Sequence, residues 1–461
     1  MNTRRRLVSV MALGGLIVAA GAAPAAAHGI GGRADLPVPL SYFVVGASVV
    51  LIASFVALSF MWTTPRLQGD PHLRPIRGRW IASFRYVLGA AGLAGFVLIV
   101  IDGLLDGNTS TLHISPVLVW VYFWLVIPFV VALVGDIWQW ISPWRTAAVG
   151  LGAGRAGRKV PTWVGMWPAV VAFVFFTWLE LVSPSSSDRR SLAIAAIVYS
   201  VYALIAVRTY GVAAGLASFE AFENYNGIIS RISPLSWSTR ARAEDESSAE
   251  PRYGLAYRGW LRGLPVMAHR PGLTAFIVAM IGTVTYDGLS GTEWWADAFG
   301  ATSRQTWFGT IALVATVLGI GLLYLAASGV AARIGGSGHS TRSVAISFAH
   351  TLVPIALAYA FAHYFTLILF EGQLLLHAAS DPFGLGWDLF GTVTWRVEFF
   401  LSPETIWYVQ VATILVGHVV GILLAHDRAL FEFGDSAAQT QYAMLMLMVT
   451  LTSLGLFILA G

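Results

Sequence analysis

Four ionisable side chains sit in one apolar stretch, Ser343–His377 (SVAISFAHTLVPIALAYAFAHYFTLILFEGQLLLH): His350, His363, Glu371 and His377. Imidazoles and carboxylates relay protons near neutral pH and ligate divalent metals. As a helix the stretch would run roughly 50 Å at ~1.5 Å per residue, well beyond a bilayer core of about 30 Å, with Pro354 as its kink. A spacing of two heptads puts His363 and His377 on nearly one helix face. Ionisable groups at membrane depth are costly and face protein or a water-filled cavity. That face is therefore where a proton relay or a zinc or copper site is expected.

Other groups could join it. His418 lies in a small-residue stripe, Gly417, Gly421 and Ala425, that admits a second helix backbone. It falls at a depth similar to His363. The two rings are either singly hydrogen-bonded packing residues or a ligand pair or relay. Asp102 and Asp287 each precede a glycine at the outer end of an outward-running helix. Asp-Gly is turn and C-cap chemistry, yet a carboxylate beside the negative end of a helix dipole needs a compensating cation or donor. Tyr286, Glu293, Trp294 and Trp295 flank Asp287. Glu180, in TWLELVSP, is a further carboxylate of an outer half. Zincin, EF-hand, P-loop and Gly-x-Ser-x-Gly spacings do not occur. Met444, Met446 and Met448 alternate, which suits lipid-facing or core filler better than copper binding. Trp387, Asp388 and Trp395 belong to the outer loop DPFGLGWDLFGTVTWRVEFFLSPE, which either caps a cavity or anchors at the interface.

Positioning these groups is the work of membrane helices. Of 461 residues 57% are hydrophobic and 11% charged, against about 25% charged in soluble domains. The expected fold is all-α: a polytopic transmembrane helix bundle of about ten spans. With 18 Trp and 26 Phe there is material for interface belts. The net charge of +4 is scattered between apolar runs, which suits loops of a membrane protein and not nucleic-acid binding. The absence of cysteine excludes disulfides, thiolate nucleophiles and Cys-ligated metals.

Residues 1–27 carry a basic n-region, an apolar h-region and Ala25-Ala26-Ala27, which reads as a signal peptide cleaved after Ala27. The mature chain would begin at His28, whose free amine and imidazole can chelate copper as a brace; the plainer reading is a generic cleavage site. Spans are expected near Leu40–Trp62, Trp80–Ile101, His113–Asp136, Thr162–Leu181, Leu192–Tyr210, Gly272–Gly288, Trp307–Val330, Ser343–His377, Thr405–His426 and Gln441–Ala460. The positive-inside rule then places the Arg-rich loops in the cytoplasm and both mature termini outside the cell membrane. A first five-span half (28–210), a cytoplasmic connection (211–271) and a second half (272–461) follow. VIDGL and TYDGL form a weak echo between the halves.

Several stretches resemble a bacterial membrane family labelled fenitrothion hydrolase: HGIGGRADLPVP, SPWR, WLELVSP, FEAFENYNGIISRISP, TVTYDGLSGTEWW, AHTLVPIALAYAFAHYFTLILFEGQ, SDPFGLGWDLFGT and GHVVGILLAHDRAL. The resemblance covers most of the mature chain and brings no defining catalytic motif. It implies hydrolysis of an organophosphorus ester together with other components, such as another membrane or accessory protein. Such chemistry needs an activated water, which a His- and carboxylate-bound divalent metal provides. The expected ligands are His363, His377, His418 and His28, with Asp287 and Glu371 as catalytic carboxylates and Asp102 secondary. The alternative is a transporter or metal-handling permease with a path lined by His363 and His418. A third is a subunit that only supports a partner.

Overall fold

The computed structural model describes residues 39–76, 80–105, 113–152, 157–240 and 252–460. The signal-peptide reading and His28 lie outside them. Among the described residues nine helices are long and apolar enough to cross a membrane. These are α1 (Leu40–Met61), α2 (Trp80–Leu104), α3 (Ile114–Val134), α7 (Arg189–Tyr210), α10 (Leu273–Ser290), α12 (Thr306–Gly335), the broken helix Thr341–Ser380, α16 (Pro403–Phe433) and α17 (Tyr442–Ala460). A shorter apolar helix, α6 (Trp167–Leu181), takes the place of the fourth expected span. The chain is an all-α polytopic bundle, as its composition requires: buried helices satisfy every backbone group internally, which hydrocarbon demands.

One end of the bundle carries a small antiparallel sheet, β1 (Arg74–Ile76), β2 (Leu235–Arg240) and β3 (Arg252–Tyr257), in the order β1-β3-β2. We call this end the sheet side. Asp427 ties the α1–β1 loop to it, accepting bonds from Trp62 Nε1 (2.9 Å) and the Arg66 and Leu67 amides (2.5 and 3.2 Å).

Two expected features are built differently. The stretch Thr341–Ser380 breaks into α13 (Thr341–Phe348), α14 (Val353–Phe370) and α15 (Leu374–Ser380), with 3-10 turns at Ala349–Leu352 and Glu371–Gln373. The first turn precedes Pro354, which lacks the N–H that an uninterrupted helix would use. The second resets the helical register between His363 and His377. Residues 211–229, expected in a cytoplasmic connection, fold into α8 (Val212–Phe219) and α9 (Ala221–Ile229) with a largely buried surface.

These helices form a hairpin that enters the bundle and returns. At its tip Glu220 accepts a bond from the Tyr199 hydroxyl at 2.7 Å, and Tyr199 lies roughly 16 Å along α7 from the sheet side. Glu220 also caps α9 through the amides of Phe222 (2.8 Å) and Glu223 (2.5 Å). A second hairpin, α4 (Trp138–Ile141) and α5 (Pro143–Gly150), turns at Ser142, which caps α5 with Pro143 at its first position. The Ile141 carbonyl lies against Gly92, roughly 18 Å along α2 from the sheet side. Arg145 of one hairpin pairs with Glu223 of the other, and Trp138 Nε1 reaches Glu220 Oε2 at 3.4 Å. Broken helices meeting part-way through a bundle are a recurrent device of membrane transporters.

Two predictions follow from this packing. At Gly92 even a methyl would overlap the Ile141 backbone, so Gly92→Ala must displace the hairpin tip; thermal unfolding in detergent should fall by several degrees while Gly46→Ala, in open space, leaves it unchanged. Asp136, between α3 and α4, is pushed up to about 7, chiefly by burial and then by Glu223, against the opposing pull of Arg145, the Gln139 amide and Arg231. A raised carboxyl stabilises the fold while protonated. That contribution is lost as pH climbs from about 3.8 through about 7, and Asp136→Asn should flatten the decline in melting temperature across this window.

Candidate functional site

The tightest helix pairing in the bundle is α14 against α16. The small-residue stripe makes it possible: a Cβ on Gly417 would stand 3.0 Å from the Pro354 carbonyl, and one on Gly421 3.2 Å from that of Thr351. With α14 fixed in this way, α10 packs on its other side. Asp287 of α10 and His363 of α14 then meet, Nε2 to Oδ2 at 2.8 Å, with both side chains 24% exposed.

Gly288 serves this approach and not a helix end, because α10 continues to Ser290. A Cβ there would overlap Ile458 of α17 and lie 3.6 Å from His363 Cε1. The Tyr364 hydroxyl lies beside the same carboxylate, and its ring stands edge-on to His363 at 4.7 Å. Asp287 thus meets the donors that a carboxylate near a helix C-terminus requires.

Glu180 of α6 lies within electrostatic reach of Asp287 and beside Trp124. Glu180 Oε2 and Trp124 Nε1 are both buried, and neither has a partner at hydrogen-bonding geometry. Trp124 belongs to a π-helical stretch of α3, Val117–Val126. The wider turn of a π-helix re-aims side chains and is frequent at functional sites. From α9, Tyr225 stacks on Trp124 at 5.1 Å and feels the Glu180 charge. Six side chains from five helices therefore converge: Trp124, Glu180, Tyr225, Asp287, His363 and Tyr364. A water-sized crevice opens beside His363 between Tyr359, Ala362, Ile414 and Leu459.

The remaining expected residues stand apart. His418 is fully buried, its Nδ1 2.9 Å from the Ile414 carbonyl and its ring edge-on to Tyr359 at 5.8 Å. Its Nε2 is unpartnered, and no contact joins it to His363. His377 is half-buried on α15, roughly 20 Å along the chain from His363. Glu371 is exposed at the 3-10 turn. Among the described residues no three His, Asp or Glu side chains group closely enough to hold a metal ion.

Asp102 is structural: buried, it accepts the Ser115 hydroxyl at 2.6 Å and amide at 3.2 Å, with His113 and Arg189 alongside at 3.6 and 3.8 Å. The aromatic loop expected on the outer side closes on itself, Asp381 accepting the Leu385 and Gly386 amides at 2.8 and 2.9 Å and Asp388 the Val393 amide at 3.2 Å. Trp387 and Trp395 stay substantially exposed.

Sequence reasoning singled out Asp287, His363 and Glu180 but not Tyr364, Tyr225 or Trp124. Tyr364 carried one signal, its adjacency to His363; the other two carried none apart from their polar tips. No protein-family model, no curated protein and no solved structure matches the chain.

Replacing Asp287 with Asn removes the carboxylate from His363 while keeping the volume. We expect a loss of about 1–3 kcal/mol in detergent unfolding, in line with stripping a partner from a part-buried charged bond, and a much smaller additional loss when His363→Gln is combined with it. Additive losses would show that the pair does not interact.

Proposed function

We propose that the chain is a proton-coupled membrane transporter, with Asp287–His363 as the site whose pairing changes during the cycle. The carrying observation is that pair itself: a carboxylate and an imidazole bonded across two helices, roughly 21 Å along α10 from the sheet side, yet still 24% exposed beside a crevice. Ionisable residues inside a membrane mark ion and proton pathways by default. A histidine paired with a carboxylate is the natural two-state element, since protonating the carboxylate removes the partner of the imidazole. The hairpins reaching part-way through the bundle from the sheet side support the same reading, because irregular backbone at depth is tolerated only within protein or around a cavity. The Arg-rich loops favour a cytoplasmic sheet side, with both ends of the described chain outside the cell membrane.

A second reading has one observation of its own. A water-sized crevice against an Asp-oriented imidazole is also the arrangement of a general base with its water. Under this reading, the chain hydrolyses an organophosphorus ester, as the resemblance to the fenitrothion hydrolase-labelled family implies, with or without a zinc or copper ion and an accessory membrane protein.

Reconstitution in proteoliposomes separates them. The transporter reading expects proton flux, read with an enclosed pH-sensitive dye, that falls at least tenfold in His363→Ala and in Asp287→Asn, while Glu371→Gln and His377→Ala retain it. Ester turnover without proton flux in the same vesicles would replace it with the hydrolase.

A further inference from the structure

Glu180 and Trp124 present two buried polar atoms, an acceptor and a donor, that lie close together yet short of full hydrogen-bonding geometry, with no other partner for either. Buried polar atoms are almost always paired, and an exception asks for an explanation. Trp124 is only 3% exposed and held by rings on three sides, Phe173 at 5.7 Å, Phe176 at 5.1 Å and Tyr225 at 5.1 Å. Its N–H is therefore fixed in place.

The titratable groups within electrostatic reach of Glu180 are Asp287 from α10, Tyr364 from α14 and Tyr225 from α9; α8, which also packs on α6, carries none. His363, the cationic candidate nearby, is already bonded to Asp287. No ion pair with Glu180 is found among the described residues. Two carboxylates thus lie within electrostatic reach of each other beside aromatic rings, and the imidazole bonds only one of them. An ionised carboxylate without an ion-pair partner in such surroundings carries a desolvation penalty that the Trp124 N–H alone offsets only in part. A structural role would be served better by an apolar side chain, or by a carboxylate with close donors and cations alongside, as at Asp102.

We propose that Glu180 is the proton-carrying residue of the transport cycle: it holds a proton at rest and passes it to Asp287, and the Trp124 N–H then bonds the anion left behind. This rests on the transport reading. In the step the Glu180 O–H bond breaks and an O–H bond forms on Asp287, which gives up its bond from His363; no electrons are exchanged. Glu180 then acts as the acid and Asp287–His363 as the pair that senses its loss.

The test is infrared difference spectroscopy of the full chain in lipid vesicles across a pH titration, reading the C=O stretch of protonated carboxyl groups. The wild type should show such a band at neutral pH, with a component beyond that of the buried Asp136 and Glu220 carboxyls. Glu180→Gln should remove that component, Asp287→Asn should keep it, and Trp124→Phe, which deletes the donor to the anion, should raise the pH at which it vanishes by about one unit. The proton flux of Glu180→Gln should fall at least tenfold. A band untouched in Glu180→Gln overturns the proposal, as does a band that sodium removes at constant pH. An unshifted midpoint in Trp124→Phe overturns the role given to the indole. If the band behaves as expected while the wild type moves no protons, the protonated Glu180 is upheld and the transport reading alone fails.

Discussion

A charge removed from water must find a partner nearby, and in this bundle that requirement is met at Asp287 by the His363 imidazole. Much of the surrounding architecture brings these two atoms together. Gly417 and Gly421 let α16 seat tightly on α14. Gly288 lets α17 close against α10 without a side chain in the way. Tyr364, the residue next to the histidine, brings its hydroxyl beside the same carboxylate. The interaction is strong because the site is partly dry, and changeable because it is not wholly so.

The two hairpins show how the same constraint is met for backbone. Half-helices that stop inside the bundle expose free amides, and each is capped by a side chain at its tip: Ser142 for α5, Glu220 for α9. Glu220 is shared among Tyr199, Trp138 and two amides. The aromatic cluster around Phe222, with Phe123 at 4.4 Å and Phe176 at 4.8 Å, packs between this cap and Trp124. The sheet-side polar groups and the Asp287 site are thereby separated by rings, which is the layering expected of a protein that must keep its two faces apart.

What the sequence revealed and concealed follows from the range of each interaction. Apolar runs of membrane length are local, so the helices were legible, including the short α6. Asp287, His363 and Glu180 were legible as chemistry because a charge in an apolar run is conspicuous in one dimension. Their assembly was not, because it depends on which helices touch. The heptad argument linking His363 to His377 failed at the 3-10 turn of Glu371–Gln373, where the helical period is interrupted. The expectation for residues 211–229 placed polar residues such as Glu220 and Asn226 in a cytoplasmic connection; the structure buries them, with Glu220 accepting the Tyr199 hydroxyl and Asn226 Nδ2 on the Phe222 carbonyl at 3.0 Å. Polarity alone cannot distinguish a solvated loop from a capped hairpin.

The central claim is that the Asp287–His363 pair lies within membrane depth and is still reached by water. The chain has no cysteine, so a single one introduced as His363→Cys reports on that position alone. Labelled in sealed vesicles by a small membrane-impermeant thiol reagent, position 363 should react from one face only. Reaction from neither face, with full reaction once detergent opens the protein, would contradict the account.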